Sequence, residues 1–396
     1  MSSYRGLFFE HLAQTSAFPL GLEVEKAEGV HLYTPGGSKV IDLISGISVS
    51  NLGHGHPEII NAVKEQAERN LHLMVYGEYI NAPQVMLASR LSELLPGSLG
   101  SVFFVNSGSE AIEGAMKLAK RFTGRHEIVA FNNSYHGSTH GAMSVSGGHS
   151  YCSAFRPLLP GIRFLDFNDF DGIGHISENT ACVFAEPVQG EAGVILPEQG
   201  FLQELRRRCY ETGALLVFDE VQTGFGRTGS LFAMDKYGVE PDIAVFAKGM
   251  GGGMPLGAFI SSRKIMSVLQ KDPPLGHITT FGGHPVSCAA ALTSLEYLNK
   301  TLIFEKAVGK GSLFADLLRH KSVKEIRGEG LLLAMDLGDA GIVKDVLKIA
   351  LEKGVVADWF LFNDESVRIA PPLTISEEEI EKSAGILLQS LDEVNN

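Results

Sequence analysis

The chain has 396 residues, which is more than one compact core of average size accommodates, so two domains are expected. Its 33 basic and 46 acidic residues give a formal net charge of -13, which repels phosphate backbones and anionic lipid surfaces. Nucleic acid and membranes are therefore excluded as main partners, while a small charged substrate remains open.

The N-terminus and the cysteines predict a soluble protein of the cytoplasm. The segment MSSYRGLFFEHLAQTS has too short an apolar run for a signal peptide or a membrane-spanning helix. The four cysteines are scattered and form no CxxC pair, and a chain of this size needs no disulfides to fold.

The predicted elements change in character along the chain. Residues 1–45 carry two short strand patterns, VHLYT and KVIDL, and are expected to pack with the C-terminal domain. Within residues 46–290, apolar runs of strand length alternate with helical patterns such as residues 110–122 and 201–212. These runs are SVFFV, EIVAF, ACVFAE, ALLVFD, IAVFA and GAFIS. The alternation predicts a large α/β domain with a mostly parallel sheet that helices cover on both faces.

A helical pattern over residues 286–299 leads into a region of different appearance. There, a predicted helix over residues 341–353 alternates with the short strands LLLAMDL and VRIA. We expect residues 291–396 to form a smaller α+β domain.

Ligands of such sheets bind at the carboxyl ends of the strands, and the first unusual motif lies at such an end. In FFVNSGSEAIEGAMKLAK, a strand passes through Ser107, Gly108 and Ser109 into a helix. Small residues and the free N–H groups of a helix start favour phosphate binding. A plain capped helix is the alternative, because Ser107 and Glu110 also match a capping box.

Two charged residues end further apolar strands. Asp219 follows ALLVF, where a carboxylate is suited to a buried cation; a helix cap or a metal ligand is the alternative. Lys248 follows IAVFA, where burial lowers the pKa of an amine as imine formation requires; a lysine that reaches out of the sheet rim is the alternative. An anion cradle, a carboxylate and an amine in one sheet match the needs of pyridoxal phosphate: a phosphate anchor, a partner for the ring nitrogen and an imine-forming group.

From GISVSNLGHGHPEI to VRIAPPLTI, the chain closely resembles the class III (ω-)aminotransferases, the family of the ornithine, acetylornithine and 4-aminobutyrate transaminases. The resemblance implies the fold type I, aspartate-aminotransferase-like architecture, pyridoxal 5'-phosphate as cofactor, and a homodimer with the active site at the interface. It also implies a ping-pong reaction through pyridoxamine phosphate, from an ornithine-like or other ω-amino acid to an oxo acid such as 2-oxoglutarate. The alternatives are a 4-aminobutyrate, β-amino acid or amine transaminase, an aminomutase, or a catalytically inactive scaffold that binds the cofactor.

The resemblance also assigns roles to individual residues, with Lys248 and Asp219 as the catalytic pair. The cofactor-binding set places Ser107, Gly108 and Ser109 at the phosphate, and Thr280 at the phosphate of the neighbouring subunit. At the ring, it places Tyr135 stacked on one face, Val221 under the ring, Asp219 at the ring nitrogen, Gln222 near the phenolic oxygen and Lys248 at the imine. The set also includes His136 and Glu186. Arg368 is expected to bind the substrate α-carboxylate. Glu191 is expected to pair with Arg368 and to swing aside for glutamate or 2-oxoglutarate; a surface ion pair is the alternative.

Two details qualify the assignment. Ser138 stands where many family members have an arginine that binds a second carboxylate, which weakens any strict 4-aminobutyrate or acetylornithine specificity. His136 and His140 have the spacing of a zinc pair on a helix, but no HExxH motif or third ligand accompanies them, so we expect no metal.

Overall fold

The computed structural model describes residues 4–395. The N-terminal part contains α1 (Tyr4–His11), β1 (Lys26–Glu28), β2 (His31–Tyr33), β3 (Lys39–Asp42), α2 (Ser45–Ser48), α3 (Pro57–Arg69) and α4 (Ala82–Leu94). All four residues of α2 have positive φ angles, between 48° and 64°, so this segment is a single left-handed turn.

The central part begins with β4 and ends with α11. It contains β4 (Ser101–Val105), α5 (Gly108–Thr123), β5 (Glu127–Phe131), α6 (His140–Ser144), α7 (His149–Cys152), β6 (Ile162–Leu165), α8 (Phe170–Ile173), β7 (Thr180–Ala185), α9 (Phe201–Thr212), β8 (Leu215–Asp219), α10 (Ala233–Tyr237), β9 (Ile243–Phe246), β10 (Gly257–Ser261) and α11 (Arg263–Met266). The C-terminal part contains α12 (Pro285–Thr301), α13 (Lys306–Leu317), β11 (Glu325–Glu329), β12 (Leu332–Asp336), α14 (Ala340–Glu352), β13 (Val355–Val356), β14 (Asp358–Phe360), β15 (Asn363–Ile369) and α15 (Glu377–Val394).

A seven-stranded sheet in the order β4-β10-β9-β8-β7-β5-β6 forms the centre of the fold. All six predicted strands belong to it, and it is mostly parallel as expected. Only β10 runs in the opposite direction, antiparallel to both β4 and β9. The sequence did not reveal this, because a strand that is buried on both faces shows the same apolar run in either direction. The edge strand β6 was missed, since three of its four residues are only half-buried and one is Arg163.

Helices cover both faces of the sheet, which is why its strands are apolar at consecutive positions. In β8, Val217 belongs to the core beneath α5, whereas Leu216 and Phe218 belong to the core on the opposite face with α9. Close packing of α5 requires Gly114, because a Cβ there would lie 2.3 Å from the ring of Phe259. This close packing of α5 on the sheet helps to hold the N-terminus of α5 at the carboxyl ends of the strands.

Two smaller sheets accompany the central one. The antiparallel sheet β11-β12-β15-β14 carries the VRIA segment, and the sheet β1-β2-β3-β13 joins the N-terminal strands to the C-terminal part. In the latter, Ile41 of β3 pairs in parallel with Val355 of β13. This pairing supports packing of the N-terminal segment with the smaller domain, but the boundaries at residues 45 and 290 stay a prediction. Helix α12 runs continuously across residue 290. Within residues 4–395, no helix combines the length and apolarity needed to cross a membrane.

Candidate active site

A cavity of about 410 Å³ lies at the carboxyl ends of the parallel strands. Its wall is built from the residues that follow β4, β5, β7, β8 and β9, as the direction of these strands predicts. Every residue of the predicted cofactor-binding set lines it except Thr280, which is exposed outside the cavity. The sequence motifs therefore converge on one site, although they are spread over more than a hundred positions.

The start of α5 forms one wall of the cavity. Ser107 is its N-cap and accepts a hydrogen bond from the backbone N–H of Glu110 at 3.2 Å. The second half of the expected capping box differs, because the Glu110 carboxylate accepts from the backbone N–H and the side-chain amide of Asn106, both at 2.8 Å. The cap uses only the Ser107 side chain, so the first helical N–H groups remain available to an anion.

Gly108 makes room for a ligand at this helix start. A Cβ at this position would lie 3.1 Å from both methyl groups of Val221. A side chain there would therefore fill the space between the helix start and Val221. The capped-helix and the anion-cradle interpretations are compatible, and the structure has the features of both.

The carboxylate of Asp219 is buried at the end of β8 with 4% of its side chain exposed. One oxygen lies 2.7 Å from Nδ1 of His136, and the other accepts the backbone N–H of Val221 at 2.9 Å. The metal alternative has no support, because no three His, Cys, Asp or Glu side chains are grouped to hold a metal in the part of the chain that the structure describes. His140 contacts the carbonyl of Pro157 instead, at 2.8 Å.

Glu186, at the end of β7, accepts a backbone hydrogen bond from the loop that carries Tyr135. Its two oxygens accept the backbone N–H groups of Tyr135 and Gly190, each at 2.9 Å. Burial raises the pKa of this carboxyl to about 7, against the opposing effect of His136. Glu186 thus lines the cavity and also holds the backbone of the predicted stacking residue.

Lys248 follows β9 and is directed into the site. Its backbone has a φ of 46°, a left-handed conformation that is strained for a residue with a Cβ and that concentrates at functional sites. Burial lowers the pKa of its amine, while Glu191 raises it and Arg368 lowers it further. The side chain lines the cavity, so the alternative of a lysine that reaches out of the sheet rim is wrong.

Two buried donor or acceptor atoms in the site lack a partner. Nε2 of Gln222 and Nε2 of His136 have no hydrogen-bond partner among residues 4–395, and both side chains line the cavity. Buried polar atoms in native proteins are rarely left unpaired, so these atoms indicate a polar ligand. A helix start for a phosphate, a buried carboxylate, a buried amine and an unpaired amide together fit pyridoxal phosphate.

Arg368 and Glu191 form a buried, two-pronged ion pair beside the cavity. The nitrogen–oxygen distances are 2.9 and 2.8 Å, and the side chains are only 2% and 4% exposed. Burial raises the pKa of Glu191, but Arg368, together with Lys248 and the backbone N–H of Leu361, outweighs this effect, so the pKa lies below its ordinary value. The backbone N–H of Leu361 also donates to Glu191, at 3.1 Å. The alternative of a surface ion pair is therefore wrong.

Sequence analysis missed Arg227, a fully buried arginine near the site. Its guanidinium donates to Ser45 Oγ at 3.2 Å and to the Leu331 carbonyl at 3.0 Å, and it also bonds Asn51 and the Pro371 carbonyl. Burial lowers its pKa to about 9. The sequence offered one signal for this residue, namely that it is a charged residue inside the glycine-rich GFGRTG run. The groups to which Arg227 donates hydrogen bonds lie far away in sequence. Through these hydrogen bonds, Arg227 links the left-handed turn α2 to the C-terminal part. This turn lies directly before the cavity in the sequence.

Comparison with known proteins identifies the family of the chain. The family described as aminotransferase class-III matches residues 12–391 of the chain. The acetylornithine aminotransferase of Methanopyrus kandleri is 40% identical over 384 residues, which cover 96% of each protein.

Two solved structures share the fold over nearly the whole chain. One is the ornithine aminotransferase of Toxoplasma gondii with pyridoxal phosphate at partial occupancy in the active site (30% identity, TM-score 0.90, 98% and 93% coverage). The other is an (S)-enantioselective ω-transaminase of Thermomicrobium roseum (30% identity, TM-score 0.90, 98% of each chain). Since the family match and the full-length relatives coincide with a site that fits the cofactor, the chain belongs to the class III aminotransferases, transaminases of fold type I that depend on pyridoxal phosphate.

Proposed function

We propose that this transaminase moves the terminal amino group of an ornithine-type ω-amino acid, such as N-acetylornithine, to 2-oxoglutarate in a ping-pong reaction. The observation that carries the proposal is the buried Arg368–Glu191 pair, which acts on the pKa of Lys248 and so lies within its electrostatic reach. The names of the relatives support the donor class, since the Methanopyrus kandleri protein is an acetylornithine aminotransferase.

The pair suits two unlike substrates. With Glu191 bound to Arg368, the two charges cancel, and a neutral stretch of an ω-amino donor fits against them. When Glu191 moves aside, the planar fork of Arg368 is free to bind the α-carboxylate of glutamate or 2-oxoglutarate with two hydrogen bonds. One pocket thereby serves both half-reactions.

Lys248 and Asp219 carry the chemistry in this proposal. Pyridoxal phosphate, when bound, would supply an aldehyde that holds the amino group and a ring that draws electrons from the substrate carbon that bears this group. Lys248 would hold the cofactor and, once displaced by substrate, would move a proton to and from the substrate carbon that bears the transferred amino group. Asp219 would keep the proton on the ring nitrogen, and His136, 2.7 Å from the carboxylate, would orient it.

The remaining cavity residues are proposed to bind the cofactor. Ser107, Gly108 and Ser109 would bind the phosphate, Tyr135 and Val221 would pack against the ring, and Gln222 would donate a hydrogen bond from its unpaired Nε2 to the phenolic oxygen. Glu186 supports Tyr135 through its backbone N–H.

We also propose a homodimer, in which Thr280 reaches the phosphate in the neighbouring subunit. Its exposed position outside its own cavity supports this role. Sedimentation equilibrium of the holoenzyme is expected to give twice the chain mass, and a monomer with full activity would contradict the proposal.

A cytoplasmic location is proposed from the state of the cysteines. Cys152, Cys182, Cys209 and Cys288 are all buried and unpaired, which suits a reducing compartment. Detection of the native enzyme in an oxidising compartment of its cell would contradict it.

The second candidate function is an amine or β-amino acid transaminase. Ser138, which replaces an arginine of many family members, contacts the hydroxyl of Tyr135 at 3.1 Å and supplies no cation for a distal carboxylate. The likeness to the ω-transaminase of Thermomicrobium roseum also favours this candidate. An aminomutase of the same family would differ in needing no oxo acid.

A half-reaction screen tests the proposal. The yellow holoenzyme is mixed with N-acetylornithine, ornithine, 4-aminobutyrate, β-alanine and a simple amine, without any acceptor, and the loss of the cofactor absorbance band is followed. We expect the fastest loss with N-acetylornithine or ornithine, and recovery of the band on adding 2-oxoglutarate. A response to simple amines alone would favour the second candidate, and product in large molar excess over the enzyme without an acceptor would indicate an aminomutase.

Replacement of Arg368 by alanine is expected to raise the KM for glutamate and 2-oxoglutarate about 100-fold, since a two-pronged, buried carboxylate contact is lost. The kinetics with butylamine, which has no carboxylate, should change less than about threefold, because Arg368 contributes nothing to its binding. Steady-state kinetics on both substrates measure the difference, and equal losses for both would reject the carboxylate role.

A further inference from the structure

A second carboxylate lies against the guanidinium of Arg368. Oδ1 of Asp358 is 3.2 Å from Nε of Arg368, whereas Glu191 holds the two terminal nitrogens. Asp358 and Arg368 are directly paired residues of β14 and β15, so the strand register determines that they are neighbours. The Asp358 side chain is 25% exposed, which leaves most of it shielded from water.

The whole of β14 surrounds this guanidinium. The carbonyl of Trp359 accepts a hydrogen bond from Nη2 at 3.1 Å, and the ring of Phe360 lies 4.6 Å from Cζ. Three consecutive residues thus contact Nε, Nη2 and one face of the group. The edge that remains is the one that Glu191 occupies and that a substrate carboxylate would take.

The contact between Asp358 and Arg368 is incomplete in this arrangement. Oδ1 and Nε are both buried, yet neither has a hydrogen-bond partner among residues 4–395 despite their short separation. At 3.2 Å the two atoms are close enough for a hydrogen bond, so the Nε–H of Arg368 is not aligned with Oδ1 while Glu191 holds the two terminal nitrogens. Two unsatisfied buried atoms cost free energy, which a small rotation of the guanidinium would recover once Glu191 has left.

We propose that Asp358 is a positioning residue for carboxylate substrates, which holds Arg368 through Nε and balances its charge while Glu191 is turned away. The proposal rests on the proposed function, because it requires Glu191 to leave Arg368. Without a second carboxylate, departure of Glu191 would leave a buried cation without a counter-ion, which is costly. Asp358 therefore stabilises the open arrangement relative to the closed one, and it favours substrates with an α-carboxylate.

The charge of Asp358 depends on pH near neutrality. Burial raises its pKa to about 6; Arg368 opposes this shift, and Glu191 and Asp42 add to it. These three are the charged groups that face it. Because the pKa is raised, the carboxylate is protonated below about pH 6 and forms as the pH rises through this value. The KM for carboxylate substrates, relative to that for an amine, is therefore expected to fall between about pH 5 and 7.

The test compares holoenzyme variants Asp358→Ala and Asp358→Asn with Asp364→Ala, an exposed carboxylate change on the same hairpin. Steady-state kinetics use 2-oxoglutarate and butylamine, and calorimetric titration uses glutarate, a dicarboxylate that does not react.

Asp358→Ala is expected to raise the KM for 2-oxoglutarate and the Kd for glutarate about tenfold, with kcat and butylamine kinetics within about twofold of the wild-type values. Asp358→Asn keeps an acceptor oxygen, so it should recover part of the loss and lack the pH dependence. Asp364→Ala should match the wild type.

An unchanged glutarate Kd in Asp358→Ala, or equal losses for butylamine and 2-oxoglutarate, would overturn the role of Asp358. If Asp358→Ala does not fold, an Asp358→Asn variant that keeps the wild-type pH profile would overturn it as well. Failure of the proposed function has a different signature, because Arg368→Ala would then bind glutarate as well as the wild type does.

Discussion

Replacement of Lys248 by alanine is expected to lower turnover at least about 10⁴-fold, because it removes the group that we propose forms the imine and transfers the proton. Lys248 is the only lysine that lines the cavity among residues 4–395. Turnover with N-acetylornithine and 2-oxoglutarate measures the effect, and a small primary amine added to the variant should restore part of it. Lys264→Ala, which changes an exposed lysine, serves as the control.

The Lys248 variant should remain folded. Burial lowers the pKa of this amine, so keeping it charged costs free energy in the folded apoenzyme below the ordinary pKa. Its removal is therefore expected to leave the melting temperature of the apoenzyme unchanged or higher. Near wild-type turnover in the alanine variant would contradict the assignment. So would borohydride reduction of the wild-type holoenzyme that attaches the cofactor to a lysine other than Lys248.

The second large effect is expected for Asp219→Asn, which should lower kcat by about 10²- to 10³-fold, the usual loss when a preorganised electrostatic partner is removed. An amide cannot balance the charge of a protonated ring nitrogen, so electron withdrawal from the amino-bearing carbon of the substrate should weaken. Activity is measured per molecule of bound cofactor, so that weaker cofactor binding does not enter kcat.

The adjacent residue offers a matched control for Asp219. Glu220 is fully buried, but it accepts hydrogen bonds from Thr223 and from the backbone N–H groups of Ala233 and Met234, and it does not line the cavity. Glu220→Gln should therefore lower the free energy of unfolding and leave kcat per bound cofactor nearly unchanged. Equal kcat losses in the two variants would show that the effect of Asp219→Asn is structural.

The sequence alone was sufficient for six of the seven strands of the central sheet and for the residues at their ends. Six buried apolar runs could be recognised because both faces of the sheet are covered, and in a parallel sheet the carboxyl ends meet at one edge. Asp219 and Lys248 were therefore expected to lie in one cavity, and they do. The resemblance to a known family then supplied what periodicity cannot, namely the roles proposed for Arg368, Glu191 and Thr280.

The tertiary structure alone determined the direction of β10, the hydrogen bond from the backbone of Tyr135 to Glu186 and the buried hydrogen bonds of Arg227. It also determined the contact of a second carboxylate, Asp358, with Arg368. These features share one physical cause, because each depends on how segments distant in sequence meet. Asp42 and Arg227, for example, are brought together by packing, and Asp358 faces Arg368 through the register of two strands. Local patterns of hydrophobicity determine which residues are buried, whereas register and packing determine which buried charges become partners.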